Sequence, residues 1–148
     1  MSKVLRKMVV AASAAAMLLG TLAVAAPASA DSSAIKIGRY ADRSATHLRV
    51  FVRVRVVCSP DTTDAWLSGE VEQTNPAGDT QYGEGALLSL SSFECSGAEE
   101  RVLLPVRIPT GGYTWRAGAA AVRNICFTTT DPSGTYESFL KARTITIR

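Results

Sequence analysis

The clearest pattern in the chain lies between Thr46 and Cys58, where every second residue from Leu48 is apolar and most of the residues between them are polar. A period of two is typical of a β-strand that buries one face, whereas a helix would scatter these apolar residues around its circumference. We therefore predict a strand over residues 46–58, with a polar outer face rich in arginine. Its predicted core face consists of Leu48, Val50, Val52, Val54, Val56 and Cys58.

Shorter stretches with the same alternation follow one another, separated by turns rich in Gly, Pro, Asp and Ser. Gly83 and Gly85 indicate a bulge or kink in one of them. Pro105 lacks an N–H group, so we expect it to face outward at an edge or a bulge. The predicted strands are Ala34–Tyr40, Ala65–Gln73, Gln81–Cys95 (one or two strands), Arg101–Ile108, Tyr113–Thr128 and Tyr136–Ile147.

About seven short strands without a credible helix indicate an all-β domain. The expected architecture is an antiparallel β-sandwich of the immunoglobulin-like type. A small Greek-key barrel is the alternative, and periodicity does not separate the two.

The first thirty residues have a different composition from the rest. A short basic head contains Lys3, Arg6 and Lys7, an apolar run spans residues 8–26, and Ala28-Ser29-Ala30 precedes Asp31. These are the three regions of a secretory signal peptide. The alternative, an uncleaved membrane anchor, is disfavoured by the Ala-rich composition and by Pro27. We predict a signal peptide at 1–30, a single domain at 31–148 and a secreted product.

The net charge of +3 comes entirely from this leader. Residues 1–30 contain three of the 16 basic residues and none of the 13 acidic ones, so residues 31–148 carry thirteen of each. A neutral domain lacks the long-range field that attracts nucleic acid or an anionic membrane. We therefore expect neither as a partner.

Three cysteines are present, and two of them should pair in an oxidising compartment. Cys58 and Cys95 are the predicted pair because each ends a predicted strand and precedes a polar turn. Cys126 is left over, either as a buried thiol in a monomer or as the link of a disulfide-bonded dimer.

Several segments together resemble small secreted actinobacterial proteins with immunoglobulin-like domains of unknown function. The likeness rests on the Ala28-Ser29-Ala30 site, the strand Leu48–Cys58, the turn Phe93–Gly97 and the segment Trp115–Val122. It implies the same fold for most of residues 31–148 and supplies no catalytic residues.

No residue pattern in the sequence indicates a catalytic, cofactor-binding or metal site. His47 is the single histidine, and no Gly-x-Ser-x-Gly motif accompanies it. Glu70 and Glu72 have the spacing of an acid/base pair, but cross-strand pairing with Arg49, Arg53 or Arg55 is the favoured interpretation. Asp61 and Asp64 are too few for a calcium site, so we interpret them as turn-capping residues.

Two surfaces are candidates for ligand binding. One is the stripe of Arg49, Arg53 and Arg55, which suits an anionic polymer or a protein partner, although the same charges also protect a strand from aggregation. The other is the pair Tyr113 and Trp115, two residues apart, which suits a sugar ring. In the alternative, Trp115 fills one end of the core and the Tyr113 hydroxyl bonds back to the chain.

These observations together predict a non-enzymatic, secreted binding or interaction domain. Its partner is an unidentified extracellular protein or polysaccharide. The alternatives are a carbohydrate-binding module that uses Tyr113 and Trp115, and an inhibitor of secreted proteases with an exposed loop at Asn75–Thr80.

Overall fold

Residues 35–148, the part of the chain that the computed structural model describes, contain seven β-strands. The predicted signal peptide lies outside the described residues. The strands are β1 (Ile35–Arg43), β2 (Arg49–Val57), β3 (Asp64–Thr74), β4 (Thr80–Leu87), β5 (Glu99–Arg107), β6 (Gly118–Asp131) and β7 (Gly134–Ile147), with one 3-10 turn at Leu90–Ser92. Within this range no helix has the length and apolar character required to span a membrane.

The strands form one closed barrel in the order β1–β2–β5–β4–β3–β6–β7. All neighbours are antiparallel except β7 and β1, which close the barrel in parallel. The all-β class and the number of strands are therefore confirmed.

Two of the seams in this barrel are short. β1 and β7 pair through two residues on each strand, and so do β4 and β5. Glycines allow the second seam, because a Cβ on Gly83 would lie 2.2 Å from the carbonyl oxygen of Arg107. A Cβ on Gly85 would lie 2.4 Å from that of Pro105. The two glycines bring β4 against β5.

The predicted core face of β2 is largely confirmed. Its four valines at even positions and Cys58 are buried. Leu48 is an exception with 45% exposure, because β2 begins only at Arg49. His47, the residue before Leu48, has a φ of 56° in the preceding turn, which interrupts the alternation.

Several predicted strand boundaries shift in the structure. β4 ends at Leu87, and a loop with the 3-10 turn replaces the second half of the predicted strand Gln81–Cys95. β6 begins at Gly118 instead of Tyr113. Pro105 lies within β5, and β4 pairs with this strand only at the two residues that follow Pro105.

The predicted disulfide between Cys58 and Cys95 is present, with 4.6 Å between the two Cα atoms. It joins the end of β2 to the loop before β5, and both cysteines are buried. Cys126 is a free, partly exposed thiol on β6. Of the two alternatives for Cys126, the buried thiol does not fit this exposure, and the linked dimer stays a prediction.

Candidate functional site

A cleft of about 390 Å³ lies on the outer face of β3 and β4, and we call it the β3–β4 cleft. Most of the side chains that border it are small, so the backbone of the sheet is exposed there. Two carboxylates lie at the rim. Its lining residues are Ser68, Gly69, Glu70, Glu84, Gly85, Ala86 and Asn124.

The register of β3 on β4 creates this cleft. Glu70 lies directly opposite Glu84, and Ser68 lies opposite Ala86. Directly opposed side chains on one face of an antiparallel pair have Cβ atoms about 5 Å apart. Two carboxylates therefore face each other beside a pair of small side chains, and the small pair leaves the concave space.

Asn124 completes the cleft from the neighbouring strand β6. Its Nδ2 donates a hydrogen bond of 2.9 Å to Oε2 of Glu70. The register of β3 and β6 shifts between Ser68 and Glu70, and Asn124 has a φ of 50° at this irregularity. Asparagine tolerates the left-handed conformation better than most residues, and the bulge aims its side chain outward.

The carboxylates at the rim are only partly compensated by nearby groups. Arg123 is the register partner of Glu70 on β6, but its side chain forms an ion pair with Glu72. In residues 35–148, neither Glu70 nor Glu84 has an ion-pair partner. Like charges directly opposite each other destabilise a sheet, so the cleft is an acceptor-rich site suited to a donor group or a cation.

The predicted pairing of Glu70 and Glu72 with the arginines of β2 is wrong. Glu72 pairs with Arg123, and Glu70 binds Asn124. The two glutamates thus turn to different partners instead of to each other. β3 and β2 are not neighbours in the barrel, so an ion pair between them would have to cross two strands, β5 and β4.

The predicted aromatic platform of Tyr113 and Trp115 is also corrected. Trp115 is completely buried, as the alternative interpretation proposed. The Tyr113 hydroxyl lies 2.5 Å from the carbonyl oxygen of Gln73 and 2.9 Å from that of Asp79, to which it donates. The Trp115 ring has no exposed face for sugar stacking and the Tyr113 hydroxyl is bound to the backbone, so the two residues do not form the paired platform on which the carbohydrate hypothesis was based.

Two buried glutamines hold this aromatic segment, a role that the sequence analysis missed. Gln81 donates from Nε2 to the carbonyl of Tyr113 (2.8 Å) and accepts from its N–H (3.0 Å). Gln73 makes the same pair of bonds with Arg116, at 2.9 and 3.0 Å. A polar residue at a predicted inward position of a strand is the signal that points to such a clamp.

The arginine stripe lies on the outer face of β2, with all three side chains exposed. Arg53 binds Asp42 at 2.6 Å, and Arg55 binds Glu99 at 3.3 Å. Lys36 also binds Glu99, and its hydrogen bond is the main cause that lowers the pKa of that carboxyl. Arg49 lies opposite Arg107 on β5. Most of the charge of the stripe is therefore engaged within the sheet.

The other residues that could act in catalysis or metal binding lie apart from the β3–β4 cleft. His47 occupies a turn, where its carbonyl accepts from the N–H of Trp115 at 2.9 Å. Asp64 opens β3, opposite Thr130, while Asp61 lies in the preceding loop. Among residues 35–148, the one cluster with three metal-ligating side chains consists of Cys58, Cys95 and Glu100. Both of its sulfur atoms are committed to the disulfide, so this cluster is no metal site.

Comparisons with known proteins give no counterpart for this geometry. No protein-family model, no curated protein and no solved structure matches the chain. The resemblance to secreted actinobacterial domains therefore stays a prediction.

Proposed function

We propose that this chain is a secreted, non-enzymatic domain that binds an extracellular partner through the β3–β4 cleft. The disulfide supports an extracellular location, because such bonds persist in oxidising compartments. The signal-peptide pattern of residues 1–30 points the same way. The facing carboxylates of Glu70 and Glu84 carry the assignment of the binding surface.

An immunoglobulin-like sandwich is the finer fold that we propose within the barrel. Strands β1, β2 and β5 form one continuous group, and β4, β3, β6 and β7 form the other. The two groups pair with each other only through the short seams between β4 and β5 and between β1 and β7. Two sheets that touch at their edges in this way are consistent with the packed layers of a sandwich.

The ligand that suits the cleft is a cationic side chain of a partner protein. A guanidinium group donates in a fork that matches carboxylate oxygens, and an ammonium group offers three donors. Its charge would relieve the repulsion between the two glutamates. The opening is also shallow and has no exposed aromatic floor, since the lining residues are Gly, Ser, Ala, Asn and Glu.

A nuclear magnetic resonance titration tests this assignment. Blocked Gly-Arg-Gly and Gly-Lys-Gly peptides serve as probes, with Gly-Gln-Gly as the neutral control. We expect the cationic peptides to shift the amide signals of Ser68, Gly85 and Asn124. The Glu70→Gln/Glu84→Gln variant should bind at least tenfold more weakly, whereas Glu94→Gln, at an exposed position outside the cleft, should bind like the parent.

Three results would count against the proposal. Shifts that are absent from the cleft, or equal for the neutral peptide, would remove the cationic ligand. Hydrolysis of a polysaccharide or peptide that is lost in Glu70→Gln would make the protein an enzyme. Inhibition of a secreted protease that is lost on changing the loop Asn75–Thr80 would instead favour the inhibitor alternative.

Stability measurements provide an independent check of the charge argument. Glu84→Gln removes a like charge directly opposite Glu70, so it should stabilise the fold by about 0.2–1 kcal/mol. A substitution that stabilises the fold while weakening peptide binding is the combination expected of a binding residue. Chemical denaturation of the parent, of Glu84→Gln and of Glu94→Gln measures this difference.

A further inference from the structure

Strand β7 has a long open edge. One side pairs with β6 from Gly134 to Ile147, but the other side meets β1 only at Thr146 and Ile147. Along residues 134–144, no strand within residues 35–148 covers this second side. An uncovered edge presents unpaired N–H and C=O groups, which are a template for another strand.

Apart from its charged side chains, β7 lacks the devices that commonly protect an edge, such as a proline or a bulge. The strand has 14 residues and contains no proline. Phe139 projects outward from its middle with 61% exposure, while Ser138 and Leu140 on either side of it point inward. Glu137 and Lys141 flank Phe139 on the same outer face, and neither has an ion-pair partner within residues 35–148.

We propose that β7 binds β7 of a second copy of this chain, antiparallel, with a two-fold axis through Phe139. In this register Glu137 lies opposite Lys141 of the second copy, and the reverse pair forms by symmetry. The two Phe139 side chains meet between the charged pairs. Directly opposed opposite charges and aromatic pairs both stabilise antiparallel strands.

Neighbouring registers lose the aromatic pair. An axis through Ser138 would place Phe139 opposite Glu137, and an axis through Leu140 would place it opposite Lys141. An axis through Glu137 would place two glutamates opposite each other, and an axis through Lys141 would do the same with two lysines. A shift by an odd number of residues would bring Phe139 opposite an inward-facing residue of the second copy. The Phe139 pair together with the two Glu137–Lys141 pairs therefore favours the axis through Phe139 among the antiparallel arrangements of two identical strands.

The cysteine of β6 does not link this dimer. Cys126 lies directly opposite Phe139 on the neighbouring strand. Three strand spacings then separate it from Cys126 of the second copy, which is about 14 Å. A disulfide requires Cα atoms within about 7 Å, so the dimer is non-covalent and independent of the Cys126-linked dimer predicted from the sequence.

A charge-exchange experiment tests the proposal on the purified protein in a Cys126→Ser background. Sedimentation equilibrium is expected to give a concentration-dependent dimer that weakens as salt is raised. Glu137→Lys alone or Lys141→Glu alone should raise the dissociation constant at least tenfold, because each creates two like-charged pairs. The double exchange, Glu137→Lys with Lys141→Glu, should restore the dimer.

Cross-linking reports the register directly. Phe139→Cys in the same background places two thiols on the proposed axis, so mild oxidation should give a covalent dimer. Leu88→Cys is the matched control, since Leu88 is even more exposed (74%) but lies outside β7. Equal cross-linking at both positions would contradict the register.

Other occupants of the edge are distinguished by the same samples. A strictly monomeric protein whose amides 135–143 are protected from hydrogen exchange would show that another part of the chain covers the edge. A monomer with unprotected amides there would leave the edge uncovered. Either result overturns the proposal without bearing on the β3–β4 cleft, which is tested by peptide binding.

Discussion

Within residues 35–148, β5 and β7 each pair along most of their length with one strand and only briefly with a second, but only β5 has a fastened loop at its start. At the start of β5, the Glu100 carboxylate accepts hydrogen bonds from the N–H groups of Glu94 (2.8 Å) and Cys95 (3.0 Å). The disulfide from Cys95 to Cys58 fastens the same loop. Near the other end of the strand, Pro105 offers no donor to an approaching strand.

β7 has neither a fastened loop nor a proline along residues 134–144. Its outer face instead carries a negative, an aromatic and a positive side chain in an order that complements itself. The two strands therefore differ. A loop of the same chain is fastened at the start of β5, whereas β7 carries side chains that suit pairing with another strand. Pairing through β7 would also join two copies of the sheet β4–β3–β6–β7.

The joined sheet would place two β3–β4 clefts on the same face. Six strand spacings separate them, which is about 30 Å before twist is considered. A partner with two cationic groups at this distance would bind both clefts, and its apparent affinity would rise through the effective concentration of the second group. The edge and the cleft are thus separate features that can act together.

The largest predicted effect is on the fastened start of β5. Replacing Cys58 and Cys95 by Ala removes a cross-link between residues 37 positions apart. In the chain-entropy description such a loop contributes about 4 kcal/mol to stability. We expect a loss of this size in chemical denaturation, with faster hydrogen exchange of the β5 amides.

The control for this variant is Cys126→Ser, which removes a cysteine without removing a cross-link. Its free energy of unfolding should change far less. If the β5 amides of the disulfide-free variant kept their protection while the domain remained folded, the disulfide would not be what protects that strand.

A smaller effect is expected where β4 covers the far end of β5. Gly83→Ala would place a Cβ 2.2 Å from the Arg107 carbonyl oxygen and 2.5 Å from Cζ2 of Trp115. Neither the backbone nor the buried indole can move away easily, so we expect a loss of about 1–3 kcal/mol. Thermal unfolding and Trp115 fluorescence should both report the change.

Gly38→Ala is the matched control, because its new Cβ would come no closer than 3.1 Å, to the side chain of Arg53. It should cost clearly less than Gly83→Ala. Equal losses for the two variants would contradict the interpretation that Gly83 serves the contact between β4 and β5.

Features encoded within one strand were predictable from the sequence. The alternation of β2 identified its core valines, because the side-chain period of a strand depends only on local geometry. The missing N–H of Pro105 implied an edge or a bulge, because a proline cannot donate a hydrogen bond to any neighbouring strand. The Cys58–Cys95 pair followed from the ends of two strands and the predicted oxidising compartment.

Features that depend on register between distant strands were not predictable. Glu84 became a cleft residue because the hairpin pairs Thr74 with Thr80, which brings Glu84 opposite Glu70. The five-residue turn between these threonines is a signal from which the register could have been counted. Asn124 reaches the cleft through a bulge that alternation alone does not reveal.

Burial of Trp115 also depends on distant residues. The indole packs where Gly83, on another strand, has no side chain, and the clamps by Gln73 and Gln81 hold the segment in place. An aromatic residue beside Gly111-Gly112 looks the same in the sequence whether it projects into solvent or into the core. Only the three-dimensional arrangement decides between the two interpretations.

The smallest predicted effect concerns the turn that begins β7. Asp131 accepts hydrogen bonds from the side chain and N–H of Ser133 and from the N–H of Gly134, which lower the pKa of its carboxyl. Because the folded pKa lies below the unfolded one, the contribution of Asp131 to stability is complete above about pH 4 and is lost as the pH falls through the folded value. A carbon-detected titration should show this lowered pKa, and the protection of the Thr135 amide against hydrogen exchange, relative to its intrinsic rate, should fall over the same range.

Asp131→Asn should abolish that loss of protection, and the disulfide beside β5 does not titrate. Acid should therefore loosen the start of the open edge without breaking the covalent link at the start of β5, and a Thr135 amide with the same acid response in Asp131→Asn would contradict this role of the carboxyl.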